Sequence, residues 1–405
     1  MKESIRALHF ADLHLGTENY GKTDPETGRS SREKDFLNRL DEIVAASLDC
    51  DLVIFSGDAF KDREPTPTQL SEFGKRIKNM ADRRPVILLV GNHDMPGNPN
   101  AANSLDIFQS LETPNVIVGN RPDGQVVHTP SGDVFIAWMP YPMKNRLATI
   151  DALQGATIDK MRRRMRTWVT DTFNDLSSTA EQHDMPRVFT GHFSVDTAEF
   201  GSERMVTLGD DVPVYLDALK ESAFDYVALG HIHKFQDLNK SGYPAVVYSG
   251  SPERVDFGEA NQPKGYVIVD LKRGGTSYKF VPLNARPFTV INANLTDEPD
   301  PTVAAISLIR DADPSSSSVV KLNVSISESN ADSLDINAIK SAFAFSYFTI
   351  SKKVDRADRM RLGDVDIETM TTREILEQYW TAKGKDESDI ERLANLAIEI
   401  IGDHK

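Results

Sequence analysis

The chain is short of three things. It has one cysteine in 405 residues, Cys50, so no disulfide can close within it. That residue abuts an apolar run and reads as a buried core thiol. No apolar run approaches the eighteen or so residues that span a bilayer, and the opening Met1-Lys2-Glu3-Ser4 lacks the apolar core of a signal peptide. A cytoplasmic location with no membrane attachment is therefore expected. Positive charge is also lacking: 46 Lys and Arg stand against 61 Asp and Glu, a formal net charge of −15. Phosphate contacts need cationic side chains, so this balance argues against a stand-alone nucleic-acid binder. Two divalent cations would restore about four positive charges at a single point, and a partner protein could complete a longer track. The net charge thus bears on solubility and steering. There is no internal repeat.

What is present is ordinary globular composition, 40% apolar and 26% charged, at a length that suggests two or three domains. Up to about residue 283 strand-like runs alternate with helical periodicity. The strands are Ala7–Phe10, Leu52–Phe55, Val86–Val90, Val134–Trp138, the shorter Val188-Phe189, Tyr226–Leu229, Val246–Ser249, Tyr266–Leu271 and Tyr278–Leu283. The helices are Ser31–Ser47, Thr66–Met80, Asn103–Leu111 and Ile158–Leu176. This order predicts an α/β fold, a two-sheet sandwich flanked by helices.

Asn284-Ala285-Arg286-Pro287 reads as a boundary, giving residues 1–283, 284–368 and 369–405 as three parts. The second part reads as a small α+β unit: strand Phe288–Ala293, helix Thr302–Ile309, a serine-rich turn at Asp313–Ser318, strand Val319–Ser327, helix Ile336–Phe343 and strand Tyr347–Lys352. The third reads as two helices. Thr371-Thr372-Arg373-Glu374 is a capping box for one, and the other has an apolar stripe of Ile390, Leu393, Ala394, Ala397, Ile400 and Ile401. Such a stripe must be buried, either on its own domain or on a partner helix.

Five short blocks carry the chemistry: Asp12-Leu13-His14, Gly57-Asp58, Gly91-Asn92-His93-Asp94, Gly191-His192 and Gly230-His231-Ile232-His233. Each follows a strand-like run, and ligand-type side chains at the carboxyl ends of several strands converge on one sheet edge. Alone, an Asp-x-His or a Gly-Asp means nothing. Together the blocks hold five of the nine histidines, and they read as one metal site of Asp12, His14, Asp58, Asn92, His192, His231 and His233. His9, His128, His183 and His404 have no such setting and read as structural or solvated. Hydrolysis of a phosphate ester at neutral pH is served by two metals sharing a bridging carboxylate. Asp58 is placed for that role, on a turn where Gly57 permits unusual dihedrals. The mixed nitrogen and oxygen donors suit manganese, iron or zinc better than calcium. His93 sits beside the site as a proton donor to the leaving oxygen or a holder of phosphate, and Asp94 could fix its tautomer.

The ordered blocks resemble the calcineurin-like metallophosphoesterases over residues 1 to 283. Within that superfamily, Gly57-Asp58-Ala59-Phe60, Phe224–Lys234 and the stretch Tyr248–Glu259 resemble the SbcD-type exonucleases, nuclease subunits of SbcCD repair complexes. The resemblance implies a manganese-dependent DNA nuclease, with magnesium, iron or zinc as alternative metals. It also implies a nucleoid-associated enzyme with double-strand exonuclease and single-strand endonuclease activity. Asp12, His14, Asp58 and His233 would hold one metal, and Asp58, Asn92, His192 and His231 the other. Residues 284–368 would be a capping domain, and the helices of 369–405 would dock on the coiled coil of an SbcC-type ABC ATPase. Dimerisation through about Thr66–Met80 and Asn103–Leu111 is implied too. One position departs from the pattern: relatives carry histidine or aspartate three residues after the bridging aspartate, where this chain has Lys61, which is left out of the catalytic set. A small-molecule phosphodiesterase or phosphatase of the same superfamily is the alternative, since the metal residues are shared. A non-catalytic scaffold would not require seven converging ligands. The cluster Arg162–Arg166 reads as a solvated helix face, with contact to DNA backbone as its alternative.

Overall fold

The computed structural model describes residues 4–98, 101–142, 157–201, 213–240, 242–355 and 370–401. In chain order the first strands are β1 Ile5–Phe10, β2 Leu52–Phe55, β3 Val86–Leu89, β4 Val116–Gly119, β5 Asp123–Thr129, β6 Gly132–Met139, β7 Arg187–His192 and β8 Tyr226–Gly230. They are followed by β9 Gln236–Asp237, β10 Ala245–Tyr248, β11 Gly265–Leu271 and β12 Ser277–Pro282. The helices among them are α1 Ser31–Ser47, α2 Pro67–Ala81, α3 Asp106–Ser110, α4 Ile158–Glu181 and α5 Leu216–Lys220.

Two six-stranded sheets result, ordered β12-β11-β1-β2-β3-β4 and β5-β6-β7-β8-β10-β9. Strands β1 to β4 are mutually parallel, as are β6, β7, β8 and β10. The outer pairs β1–β11, β11–β12, β5–β6 and β9–β10 are antiparallel.

Parallel strands covered on both faces read as unbroken apolar runs, and Val86–Leu89 is fully buried along its length. Alternate residues divide between two layers. Ala7, Leu52, Ile54, Ile87 and Leu89 meet Val134, Ile136, Val188, Tyr226 and Ala228 between the sheets. The other faces carry helices. Leu8, Phe10, Phe55 and Leu88 pack with Phe36, Leu40, Phe73 and Ile77 of α1 and α2; Phe189, Val227 and Leu229 pack with Met165, Val169 and Phe173 of α4. Ser30 caps α1 by accepting from the Arg32 amide, and Thr66 with Gln69 forms a capping box on α2. The expected two-sheet α/β sandwich flanked by helices is what forms.

Some boundaries differ. The third helix spans only Asp106–Ser110, because the Asn103 side chain accepts from the amides of Leu105 and Asp106 and holds the preceding turn out of the helix. Helix α4 runs five residues past Leu176, to Glu181. Strands β4 and β5 were not anticipated. The first is a four-residue run, and the second is a polar edge strand with Val127 as its one fully buried residue.

The chain divides into two compact units: Met1–Ile291 with Ala312–Leu322 and Phe343–Thr349, and Asn292–Asp311 with Asn323–Ala342 and Ile350–Lys405. Strands β13 Phe288–Asn294, β14 Val319–Ser327 and β15 Tyr347–Asp355 form a three-stranded sheet with β14 central. The remaining helices are α6 Pro301–Ala312, α7 Ile336–Ser341, α8 Thr372–Ala382 and α9 Glu387–Ile401. The capping box expected at Thr371 and Glu374 is present at the start of α8, and α8 packs against α9. The boundary expected at residue 368 and His404 lie outside the described residues. Among the described residues no helix is long and apolar enough to cross a membrane.

Candidate metal centre

All seven proposed metal residues lie at the carboxyl ends of strands. Asp12 and His14 follow β1, Asp58 follows β2 and Asn92 follows β3; His192 ends β7, and His231 and His233 follow β8. Because β1, β2 and β3 run parallel in one sheet and β7 and β8 in the other, their ends can meet at one edge.

The backbone must turn sharply to aim short side chains into that edge. Asp12 (φ 55°), His14 (φ 47°), Asp58 (φ 60°) and His231 (φ 97°) all adopt the left-handed region. Each such residue costs about 1 kcal/mol or more, so four of the seven candidates are strained by the packing around them. Glycine makes the approach possible. A Cβ on Gly91 would lie 2.1 Å from Asp58 Oδ1 and 2.4 Å from Asp58 N, and one on Gly57 would lie 2.3 Å from His192 Nδ1.

The side chains converge. Asp58 Oδ2 lies 3.6 Å from His14 Nε2 and 3.4 Å from His192 Nε2, between the two imidazoles. On one side His14 Nε2 and His233 Nε2 are 2.9 Å apart. On the other, Asn92 Oδ1 is 3.0 Å from both His192 Nε2 and His231 Nδ1. Asp12 Oδ1 accepts from the His231 amide at 2.9 Å, while Asp12 Oδ2 is buried with no hydrogen-bond partner among the described residues. The donor atoms of Asp12, His14 and His233 lie within 4.8 Å of one another, as do those of Asp12, Asp58 and His192 and those of His14, Asp58 and His93.

The set fits divalent cations. A buried carboxylate oxygen without a donor, and facing imidazole nitrogens that turn inward together, are what a cation satisfies and a hydrogen bond does not. Outer contacts fix the tautomers. Taking the proton on the outward nitrogen, His192 Nδ1 donates to the Ser56 carbonyl at 2.6 Å and His233 Nδ1 donates to Glu259 Oε1 at 2.6 Å. The Nε2 lone pairs then face inward, as metal ligation requires. His231 presents Nδ1 instead.

Proton equilibria of the protein alone follow from burial and charge. Burial and the neighbouring His233 hold His14 well below the usual imidazole range. Burial also pulls His192 down, but the Asp58 carboxylate outweighs it and raises His192 to about 9. Asp58 is pushed up by burial, yet His192 and His93 keep it well below the usual carboxylate range. Asp12 is raised, chiefly by burial. A divalent cation competes with the protons on these groups for the same lone pairs.

Two expectations meet a different geometry. Asp94 does not orient His93. Its buried carboxylate accepts from the amides of Asp58, Ala59, Phe60 and Gly91 at 2.9–3.3 Å, so it ties the Gly57–Phe60 turn to the Gly91–Asp94 turn. Burial and the charge of Asp58 raise it to about 6. His93 Nδ1 instead donates to the backbone carbonyl of Lys61 at 2.6 Å, and the His93 amide donates to Asp58 Oδ1 at 2.9 Å. Lys61 therefore enters the site through its main chain, which no side-chain comparison reveals. Sequence reasoning also missed Glu259. It closes the Tyr248–Glu259 stretch, but nothing in its setting there showed that it faces His233.

The remaining histidines stand apart. His9 is buried, with Nδ1 3.1 Å from the Tyr226 hydroxyl. His128 pairs with Asp133 at the surface, and His183 stacks on Phe135. In the basic run, Arg163 and Arg164 are exposed while Arg166 lies over the Tyr215 ring.

Residues 5–235 match the family described as calcineurin-like phosphoesterase. With the sandwich and the cluster of Asp and His at its edge, the chain belongs to that family and is a phosphoester hydrolase. Its sequence is similar to the SbcD component of nuclease SbcCD from Bacillus subtilis, 30% identical over 279 residues that make up 67% of each chain. The SbcD component of Escherichia coli is 27% identical over 280 residues, 67% of this chain and 66% of that one. The DNA double-strand break repair protein Mre11 of Thermoplasma acidophilum is 24% identical over 402 residues, 97% of this chain and 93% of that one.

Proposed function

We propose that this protein is a manganese-dependent DNA nuclease, the nuclease subunit of a double-strand-break repair complex. The observation that carries the hydrolytic reading is the Asp58 carboxylate set between His14 and His192, with Asp12 and His233 on one side and Asn92 and His231 on the other. In this reading Asp12, His14, Asp58 and His233 hold one metal and Asp58, Asn92, His192 and His231 the second. Bound there, two divalent cations supply charge neutralisation for the phosphate and a nucleophile at neutral pH. The substrate class is supported by the relatives, which are named for nuclease activity and DNA break repair.

The protein's own part is positional. Asp94 clamps the two turns that present Asp58 and Asn92. His93, its Nδ1–H held by the Lys61 carbonyl, has a ring nitrogen within 4.8 Å of donor atoms of His14 and Asp58. In its protonated form Nε2, the ring nitrogen away from that carbonyl, gives its proton to the sugar oxygen as the phosphorus–oxygen bond breaks. Water contributes the oxygen that joins phosphorus, and its proton leaves to solvent, so the step balances.

Residues 284–368 are read as a capping domain and 369–405 as the segment that docks an SbcC-type coiled-coil ABC ATPase. The partner reading is supported by the names of the relatives, which are components of a complex, and by Leu396, Ile400 and Ile401 of α9, which are 54%, 74% and 54% exposed. A homodimer is supported by exposed Ile107 and Leu111, four residues apart at α3.

The test is direct. Purified protein with Mn2+ should degrade linear duplex DNA from its ends and cut single strands. Hydrolysis confined to small phosphodiesters would replace this reading with that of a small-molecule phosphodiesterase.

A further inference from the structure

The stretch Tyr248–Glu259 carries no residue of the metal set, yet it wraps His233. Gly250, at φ +71°, brings the chain so close that a Cβ there would lie 2.8 Å from the His233 carbonyl oxygen. The Ser251 amide donates to that same carbonyl at 3.1 Å. Lys264 reaches it from the other side: its fully buried Nζ donates to the His233 carbonyl at 3.1 Å, to Ser251 Oγ at 2.8 Å and to Glu259 Oε2 at 2.8 Å. Glu259, equally buried, accepts from His233 Nδ1 with one oxygen and from the Val255 amide with the other. The histidine is thus gripped at its main chain by Lys264 and Ser251 and at its ring by Glu259.

Across the site the arrangement is different. His192 Nδ1 faces the neutral carbonyl of Ser56, and His93 Nδ1 that of Lys61. Either acceptor behind an imidazole fixes the tautomer and raises the basicity of the far nitrogen, but a charged carboxylate makes the stronger hydrogen bond and so raises it more than a neutral carbonyl does. We propose that Glu259, held by Lys264, is a positioning residue that makes the two metal positions unequal, strengthening the one that His233 serves. Asp58 is shared by both positions, but the carboxylate of Asp12 already favours that position over its neighbour, where Asn92 is neutral, and Glu259 widens the gap.

This rests on the reading of His233 as a metal ligand, and the experiment separates the two. Mn2+ is titrated calorimetrically into the full chain, without DNA, for the wild type and three variants. Removing Glu259 alone would leave the Lys264 ammonium buried and unpaired, so both charges are removed together. Glu259→Gln with Lys264→Met keeps an acceptor for Nδ1–H at nearly constant volume; Glu259→Leu with Lys264→Met keeps none. The wild type should show two binding steps. The Gln variant should weaken one step about tenfold and the Leu variant about a hundredfold, the same step that His233→Ala removes, with the other step unchanged. Wild-type binding in both double variants overturns the proposal. So does equal weakening of both steps, which would make the clamp a support for the whole edge. If His233→Ala leaves both steps intact, the ligand reading itself fails.

Discussion

The edge that holds the Asp and His cluster and the two C-terminal helices are built on opposite terms. At the edge the chain breaks local rules. Four non-glycine residues sit in the left-handed region, Gly91 and Gly57 tolerate no Cβ, and Asp12, Asp58, Asp94 and His192 are buried polar groups at most 2% exposed. Helices α8 and α9 obey the rules: a complete capping box, regular amphipathic spacing and acidic residues at the first turn of α9. They leave apolar side chains exposed instead, as Ile400 shows. Strain and buried charge persist only where surrounding packing over-determines them. The edge is therefore the part of the molecule whose geometry was held against stability, while the tail is stable locally and unfinished at its surface.

That contrast can be broken in three places. The largest effect belongs to His93. Its replacement by Ala should lower DNA cleavage about 10²- to 10⁴-fold while elemental analysis still finds two metals per chain. Loss of metal in that variant would place His93 among the ligands and not beside them. Next comes Asp94→Ala, which strands four buried amide donors and should destabilise the folded state by about 3 kcal/mol or more, read from denaturant unfolding. If stability is unchanged and only turnover falls, Asp94 serves His93 after all and the clamp between the two turns is fiction. The smallest effect in isolation is expected in the tail. Leu396→Glu with Ile400→Glu should shift unfolding by no more than about 0.5 kcal/mol and leave cleavage by the isolated chain intact, yet abolish capture of a coiled-coil ATPase partner. Retained capture would assign that exposed face to something else.

How much could be read in advance varied with the kind of interaction. The apolar runs before Asp12, Asp58, Asn92 and His231 announced buried strands, and the alternation of strand and helix announced a two-sheet sandwich, because hydrophobic periodicity is written locally. The helix cap at Thr371 was legible because a capping box is also local. Short polar strands were not: β5 shows one fully buried residue in seven, too little periodicity to separate from a loop. Asp94 was assigned to the neighbour it follows in sequence, but its carboxylate goes to main-chain groups up to 36 residues away. Lys61 looked like a departure in side chain, whereas its contribution is a carbonyl that every residue possesses.

Sequence alone determined the inventory: which carboxylates, amide and imidazoles stand at strand ends, and in what order. Tertiary structure decided the roles. It sets which nitrogen each histidine turns inward, puts Asp58 between two imidazoles, and sends Glu259 to His233 and Asp94 to the turns. Burial patterns need only the spacing of apolar residues along the chain. A tautomer or a bridging position depends on directional contacts of about 3 Å between groups as many as 219 residues apart, and those exist only once the sheets have packed.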